Sequence, residues 1–546
     1  MQLLCPQILI LLSAIGNALA ILRDTGSGVS CESSAFDLPE VLGTRIISLR
    51  ATPIFNDSLA LDRRDVPDRL STLPGAIDDG LDYCNVSLTY THPGLNDSIN
   101  VAIWLPLKSH WNGRFMGVGG GGFNTGYSAD SSFPYNGIGA NFSTMWTSGG
   151  HVYPTREDPF PDPAPWGLAS PGVVDFNGFN NFASLTLHEA TLFGKAITEN
   201  YYGRPAEYSY WNGCSQGGRQ GHMFAQRYPD MYDGILGAAA AINWVDIFQF
   251  MLWPQIVMNQ EGQFPSLCEL EAIKEAAIEA CDELDGLKDG LISANSQCTF
   301  DANEAVGRLY NCSGEYVQVS AGAAQVANAA WRGPLNIDGT QQWYGTSKDT
   351  DLSPIANTTI SSNGTREVNP LFLPHDWIRV WIAKDATYKP ALATYEDFDH
   401  FFHTGHQIYD SPIGTVDPDL RAFRDAGGKF LTWHGVADAF IPFDGTVDYY
   451  NKVLQRDPSI DDYYRFFPVP GIGHCGGGPG AKPDSSLETL VNWVEKGIAP
   501  ETLLAMKKST NGSIEYQRPL CRYPFFTVFV GSDPNLVESY ECRESF

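Results

Sequence analysis

Tyr208-Ser209-Tyr210-Trp211-Asn212-Gly213-Cys214-Ser215-Gln216-Gly217-Gly218-Arg219 reads as a β-strand turning sharply into a helix. Tyr208 to Trp211 has the aromatic character of a strand, and Arg219 to Tyr228 the pattern of a helix. Between them Gly213-Cys214-Ser215-Gln216-Gly217 matches G-x-S-x-G, the tight elbow that lifts a nucleophilic hydroxyl above a parallel sheet. Glycine at both flanks relieves crowding at that turn, and Gly218 and Gly221 give the departing helix a small surface to pack on. The pentapeptide alone also arises by chance, as a plain turn, in a chain with 54 glycines. The strand before it and the helix after it select Ser215 as a candidate nucleophile.

A serine hydroxyl is a poor nucleophile near neutral pH, so it needs a base within reach and a carboxylate to orient that base. In α/β-hydrolases the partners follow in the order serine, acid, histidine. The apolar strand from Lys429 to Trp433 runs through His434-Gly435-Val436-Ala437 to Asp438, and strand ends are where such acids sit. Asp444 is the rival, farther from the strand end. A second short strand, Tyr464 to Pro468, leads into Pro470-Gly471-Ile472-Gly473-His474-Cys475-Gly476, whose glycines leave His474 free to reach a neighbouring loop. Any one of eleven histidines has a surface or structural role as its plainer reading, but order, strand context and the adjacent cysteine single out His474. Cys214 precedes the serine and Cys475 follows the histidine. A disulfide between them would hold the two loops with Cα atoms about 5.5 Å apart and fix base against nucleophile. Two free, buried thiols are the alternative.

The tetrahedral intermediate needs backbone donors aimed at its oxyanion. One candidate is the amide of Gln216. The other comes from Gly119-Gly120-Gly121-Gly122, after the apolar segment Arg114 to Val118, with Gly121 and Gly122 the candidate donors. A flexible turn is the plainer reading of that run. It is not a phosphate loop, because no Gly-Lys-Ser/Thr follows.

The motif at 213 to 221, the Asp438 segment and Gly473-His474-Cys475-Gly476 together resemble the tannase and feruloyl esterase family. Trp111-Asn112-Gly113-Arg114-Phe115, Tyr232-Asp233-Gly234-Ile235 and Tyr463-Tyr464-Arg465-Phe466-Phe467 extend the resemblance over nearly the whole mature chain. It implies carboxylic ester hydrolysis, with Ser215 as nucleophile, His474 as general base and acid, Asp438 as its orienter, and a disulfide joining Cys214 to Cys475.

Cys281-Asp282-Glu283-Leu284-Asp285-Gly286-Leu287-Lys288-Asp289-Gly290-Leu291 spaces three carboxylates so that they could wrap a hard cation. The spacing does not fit an EF-hand, and a solvated Asp/Gly loop explains it equally well. The resemblance implies structural calcium, with carboxylates from Asp282, Asp285 and Asp289 and carbonyls from Leu287 and Leu291.

The 546-residue chain is 43% hydrophobic and 18% charged, enough to bury a large core. Its net charge of −28 and pI near 4.6 argue against nucleic acid, whose phosphates demand a basic surface. Residues 1–20 read as a secretory leader, with an apolar stretch from Ile8 to Ile15 and Ala18-Leu19-Ala20 as cleavage site, although no Lys or Arg precedes that stretch. The apolar run is shorter than the roughly 20 residues a spanning helix needs, so no membrane association is expected. Losing the leader removes Cys5 and leaves ten cysteines, which suits five disulfides in an oxidising compartment. Position suggests Cys31 with Cys84, Cys521 with Cys542, Cys281 with Cys298, and then Cys268 with Cys312. Sequons at Asn56, Asn85, Asn96, Asn141, Asn311, Asn357, Asn363 and Asn511 fit a secreted, extracellular glycoprotein.

Strand and helix signals alternate up to Trp244, change to helices, the acidic loop and Ser/Asn/Thr/Gly-rich stretches over 245–395, and resume as strands near Gly428. The fold class expected is therefore an α/β-hydrolase core, a mostly parallel sheet with helices on both faces, built from 21–244 and 396–546. Residues 245–395 would form an inserted lid over the site. The expected activity is hydrolysis of feruloyl or other hydroxycinnamoyl esters of plant cell-wall polysaccharide, the partner being a phenolic ester, free or polymer-bound. The same machinery would serve galloyl esters in a tannase. A secreted hydrolase-fold protein that binds without catalysis is the reading of a different class, against which every catalytic position is intact.

Overall fold

The computed structural model describes residues 28–58, 79–126, 132–155, 158–509 and 513–544. The leader at 1–20 and the sequon at Asn511 lie outside the described residues. The main sheet contains β1 (Arg45–Asp57), β2 (Leu81–Thr91), β3 (Ile99–Pro106), β4 (Arg114–Val118), β5 (Ser143–Thr147), β6 (Tyr208–Cys214), β7 (Gly234–Ala238), β8 (Lys429–Gly435) and β9 (Tyr464–Val469). Their spatial order is β1-β2-β3-β5-β4-β6-β7-β8-β9. The pairs β1–β2, β2–β3 and β3–β5 are antiparallel, whereas every pairing from β5 onward is parallel. The longer helices are α1 (Thr186–Tyr202), α2 (Gln216–Arg227), α3 (Trp244–Glu261), α4 (Leu267–Cys281), α5 (Ala321–Arg332), α6 (Tyr395–Ile413), α7 (Phe443–Arg456) and α8 (Ser486–Lys496).

Successive residues of a strand face opposite sides, and the parallel strands here are apolar on both. Phe115, Trp211, Ile235 and Phe430 join one cluster with Phe193 of α1, Phe224 of α2 and Tyr449 of α7. Their neighbours Met116, Tyr210, Leu236 and Leu431 join another with Leu490 and Trp493 of α8. Burial of each such side chain contributes roughly 1.5–3 kcal/mol, so both faces must be covered. The result is the α/β-hydrolase architecture, and it places the carboxyl ends of β6, β8 and β9 at one end of the sheet, with β7 between β6 and β8.

The polypeptide between β7 and β8 begins with α3, in which every residue from Trp244 to Met258 is buried. A helix with bulky apolar side chains on every side must be enclosed, and here Asp246, Gln249 and Gln255 are enclosed with them. Trp377 and Trp381, together with Phe398, Tyr409 and Ile413 of α6, share its cluster. Thr394 opens α6 with a capping box closed by Asp397, so the expected boundary at 395 falls where a new helix starts. Because α6 packs on α3, the helical layer continues to Ile413. Phe179 and Phe182, from before the elbow, enter the same cluster and knit this layer to the core. Among the described residues, no helix is long and apolar enough to cross a membrane.

Disulfides join Cys31 to Cys84, Cys214 to Cys475, Cys268 to Cys312, Cys281 to Cys298 and Cys521 to Cys542. Asn56, Asn96, Asn141, Asn311 and Asn363 are exposed, while Asn85, within β2, and Asn357 are partly covered.

His222 of α2 is wholly enclosed behind the elbow and donates from Nδ1 to the Gly218 carbonyl at 2.9 Å. Burial, helped by Arg219 and opposed by the Gly218 bond, brings its pKa down to about 4 from 6.5. Between those values the unfolded chain takes up a proton that the folded chain refuses, so stability rises with pH, by roughly 3 kcal/mol across the window. Urea unfolding followed from pH 7 down to pH 4 should show that decline, and His222→Gln should flatten it by close to one proton. An unaltered slope in the variant removes His222 from the acid sensitivity.

Candidate active site

Ser215 sits between β6 and α2 at φ 62° and ψ −123°, a conformation that costs a non-glycine residue on the order of 1–3 kcal/mol. Backbone bonds hold it there. Its amide donates to the Ala238 carbonyl at 3.0 Å, and its own carbonyl accepts from Arg219 at 3.0 Å and Ala241 at 3.1 Å. The turn is so tight that a Cβ on Gly213 would overlap the Gly217 backbone, and one on Gly119 would strike Gly217. Glycine at these crossings lets the 119–122 loop pass directly beside the elbow.

Asp438, in the loop after β8, is fully buried. Its Oδ1 accepts from the amides of Phe440 at 2.8 Å and Ile441 at 3.0 Å, and its Oδ2 accepts from Nδ1 of His474 at 2.8 Å. Burial alone would raise its pKa, but the charge of His474 and the bonds from His434 and His474 hold the carboxyl well below the usual range. The imidazole of His474 is therefore oriented by Asp438 and not by the rival Asp444. His434 is a partner that the sequence reading passed over. Its Nε2 lies 3.2 Å from Asp438 Oδ2 and 3.1 Å from the Ile441 carbonyl, while Nδ1 lies 2.8 Å from the Thr446 hydroxyl. Two acceptors beside Nε2 require that nitrogen to carry the proton. The available signal was its spacing of four residues before Asp438.

Cys214 and Cys475 bring the elbow and the histidine loop to a Cα separation of 6.0 Å. Cys475 itself has φ 58°, a second left-handed non-glycine residue at this junction. Ser215, Gln216, Gly122 and His474 line one cavity. The amides of Gly119 and Gly120 are committed, to the Asn212 carbonyl at 3.1 Å and to Gln220 Oε1 at 3.0 Å. Those of Gly121, Gly122 and Gln216 have no protein acceptor among the described residues. Of the two candidate glycines, Gly122 reaches the cavity.

Trp244, Ile247, Phe248 and Met251 of α3 also line the cavity, with Leu373 and Phe440. The Phe440 ring meets His474 edge-on at 5.2 Å. The space these side chains leave is only about 30 Å³. Sequence periodicity marked α3 as a change of pattern but carried no sign of which face meets Ser215.

The acidic loop lies closer to this site than its distance along the chain suggests. Leu291 packs where a Cβ on Gly471 would stand, three residues before His474. Asp282 accepts from the amides of Asp289 at 3.0 Å and Gly290 at 2.9 Å, and Asp285 from Leu287 at 3.0 Å. Asp289 accepts from Leu291 at 3.1 Å and pairs with Arg518 at 2.7 Å. Burial raises the pKa of Asp285 and Asp289. Oxygen donors of the right type thus share one loop clamped by Cys281–Cys298. Among the described residues, however, no group of three or more His, Cys, Asp or Glu gathers closely enough to hold a metal ion.

Residues 84–543 match the family described as "Tannase and feruloyl esterase". The chain is 38% identical over 515 residues to a probable feruloyl esterase of Arthroderma benhamiae, covering 93% of each chain. Among solved structures it is similar to tannin acyl hydrolase from Aspergillus niger, with TM-score 0.82, 27% identity and 94% of each chain covered. It is also similar to feruloyl esterase B from Aspergillus oryzae, with TM-score 0.74 and 25% identity over 94% of this chain and 99% of that one.

Proposed function

Because this chain belongs to the tannase and feruloyl esterase family of carboxylic ester hydrolases, we propose that Ser215, His474 and Asp438 form its catalytic triad and that it hydrolyses feruloyl or related hydroxycinnamoyl esters. The observation that carries the triad is the 2.8 Å bond from His474 to the buried Asp438, on a loop tied by Cys214–Cys475 to the elbow of Ser215. His474 takes the hydroxyl proton as Ser215 attacks the ester carbonyl, and Asp438 stabilises the imidazolium that forms. The oxyanion rests on the amides of Gln216 and Gly122, with Gly121 next in line. His474 returns the proton to the leaving alcohol, and water repeats the attack on the acyl-enzyme.

Apart from Ser215, His474, Gln216 and the indole nitrogen of Trp244, the side chains around the cavity are apolar, which suits a cinnamoyl group better than a ring carrying three hydroxyls. Galloyl ester hydrolysis is the second reading, favoured by the similarity to tannin acyl hydrolase. Initial rates on methyl ferulate and methyl gallate decide between them. The account predicts kcat/KM higher for the ferulate by at least about tenfold, and preference for the gallate overturns the substrate assignment. Attachment of the substrate to plant cell-wall polysaccharide belongs to the same proposal.

The ten paired cysteines, the exposed sequons and the leader support secretion as a glycoprotein. For the acidic loop we propose a structural calcium ion, which would have to draw together the carboxylates of Asp282, Asp285 and Asp289, now held apart on backbone amides and Arg518, with the carbonyls of Leu287 and Leu291. The ion would hold this loop against the loop that carries His474. Stripping with a chelator should lower the midpoint of thermal unfolding by several degrees, and added calcium should restore it, whereas Asp285→Asn should abolish the response. A midpoint indifferent to both treatments rejects the ion.

A further inference from the structure

Gln216 is placed at the nucleophile by its backbone, yet its side chain is 1% exposed and only half satisfied. Nε of Arg219 donates to its Oε1 at 2.6 Å, which fixes which end of the carboxamide is oxygen. The Nε2 end has no partner. Arg219, also wholly buried, has no carboxylate beside it among the described residues. Its other nitrogens donate to the carbonyls of Ala183 at 3.0 Å and Ile413 at 3.3 Å, and its guanidinium lies 5.7 Å from the Trp244 ring. Trp244 is 2% exposed, and its Nε1 also has no partner. Orphan indole donors occur elsewhere in the helical layer, as at Trp377 and Trp381, but Gln216 and Trp244 are the two residues lining the cavity beside Ser215 that carry an orphan donor. Both flank one guanidinium, so they stand close together.

A buried donor left without an acceptor opposes folding, and a site built to hydrogen-bond its ligand rejects an analogue lacking the acceptor far more strongly than an apolar pocket rejects a missing methylene. From this pairing we infer that the Gln216 side-chain amide and the Trp244 indole are specificity-determining donors that take oxygen substituents on the acyl ring of the substrate, and that Arg219 is the positioning residue that aims them. This inference rests on the proposed use of the cavity as the acyl pocket.

The test is the ratio of kcat/KM for methyl ferulate to that for methyl cinnamate, measured in the full-length protein, in Gln216→Glu and in Trp244→Phe. Gln216→Glu keeps an acceptor for Arg219 and removes the donor, and Trp244→Phe keeps a ring and removes the indole nitrogen. The ratio cancels losses common to both substrates, including any through the Gln216 backbone. The unmodified protein should favour ferulate by at least about tenfold, and each variant should lower that ratio by about fivefold or more. A ratio near one in the unmodified protein, or ratios unchanged in both variants, overturns the inference while leaving the esterase assignment standing; donors occupied by water give that result. Inactivity of the unmodified protein on both cinnamates overturns the acyl-pocket reading and the inference together.

Discussion

Ser215→Ala should reduce kcat/KM for methyl ferulate by about 10⁵–10⁶-fold, with the folded structure retained. In a serine triad the nucleophile acts as a unit with its base, and removing either member costs nearly all of the chemistry above what the oxyanion donors and binding supply. Alanine has no hydroxyl for His474 to deprotonate, but it keeps the Cβ and all three backbone bonds that pin residue 215 to Ala238, Arg219 and Ala241. Far-ultraviolet circular dichroism and the unfolding midpoint should therefore match the unmodified protein. A variant that keeps more than about a thousandth of the activity places the nucleophile elsewhere.

The second large effect is expected from the double variant Cys214→Ala/Cys475→Ala. The bond closes a loop of 261 residues, the longest of the five, and chain-entropy arguments give such a cross-link about 5–6 kcal/mol, a figure that native strain reduces. Urea unfolding should show a loss of at least about 2 kcal/mol. Activity should fall too, because the bond lies one residue from each reacting side chain. Released from it, the loop at 473–478 relies on the bond from His474 to Asp438, a Gly473–Gly477 contact at 3.2 Å and the bond from Lys507 to the Gly478 carbonyl at 2.8 Å. A displacement of about 1 Å at a reacting group can cost on the order of a hundredfold in rate, so kcat should drop by at least tenfold at temperatures where the variant is still folded. Full kcat in a folded double variant would show that the bridge serves stability alone.

What the sequence disclosed follows from the range of the interactions involved. The elbow needs glycines two residues either side of the serine, a requirement satisfied within five positions, and it is readable there. Cys214 and Cys475 each adjoin a chemically marked residue, so a long-range contact is written locally at both ends. Asp438 was legible because a strand of bulky apolar residues ends just before it. The second histidine on Asp438 was not, because His434 closes onto its carboxylate through a loop whose path depends on Thr446 and Ile441, and no residue type announces that path. The same holds for α6, whose capping box at Thr394 is locally clear while its packing on α3 depends on surfaces more than a hundred residues apart. The place of the acidic loop was hidden for this reason as well. The seat of Leu291 against Gly471 brings it to the loop that carries His474.

The cavity was the least legible part. Trp244, Phe248 and Met251 recur at helical spacing, which fixes a face but not its target. The carboxamide of Gln216 and the buried Arg219 carry no motif beyond the elbow, and their significance lies in which hydrogen bonds remain unmade.

The central claim is that the hydroxyl of Ser215 is activated by the imidazole of His474. It is tested most directly by treating the folded protein with a serine-directed fluorophosphonate and locating the adduct by peptide mass spectrometry, with His474→Ala in parallel. The account predicts one stoichiometric adduct on Ser215 that forms at least about a hundredfold more slowly in the His474 variant. An adduct on another residue, or equal labelling rates in the two proteins, would contradict it.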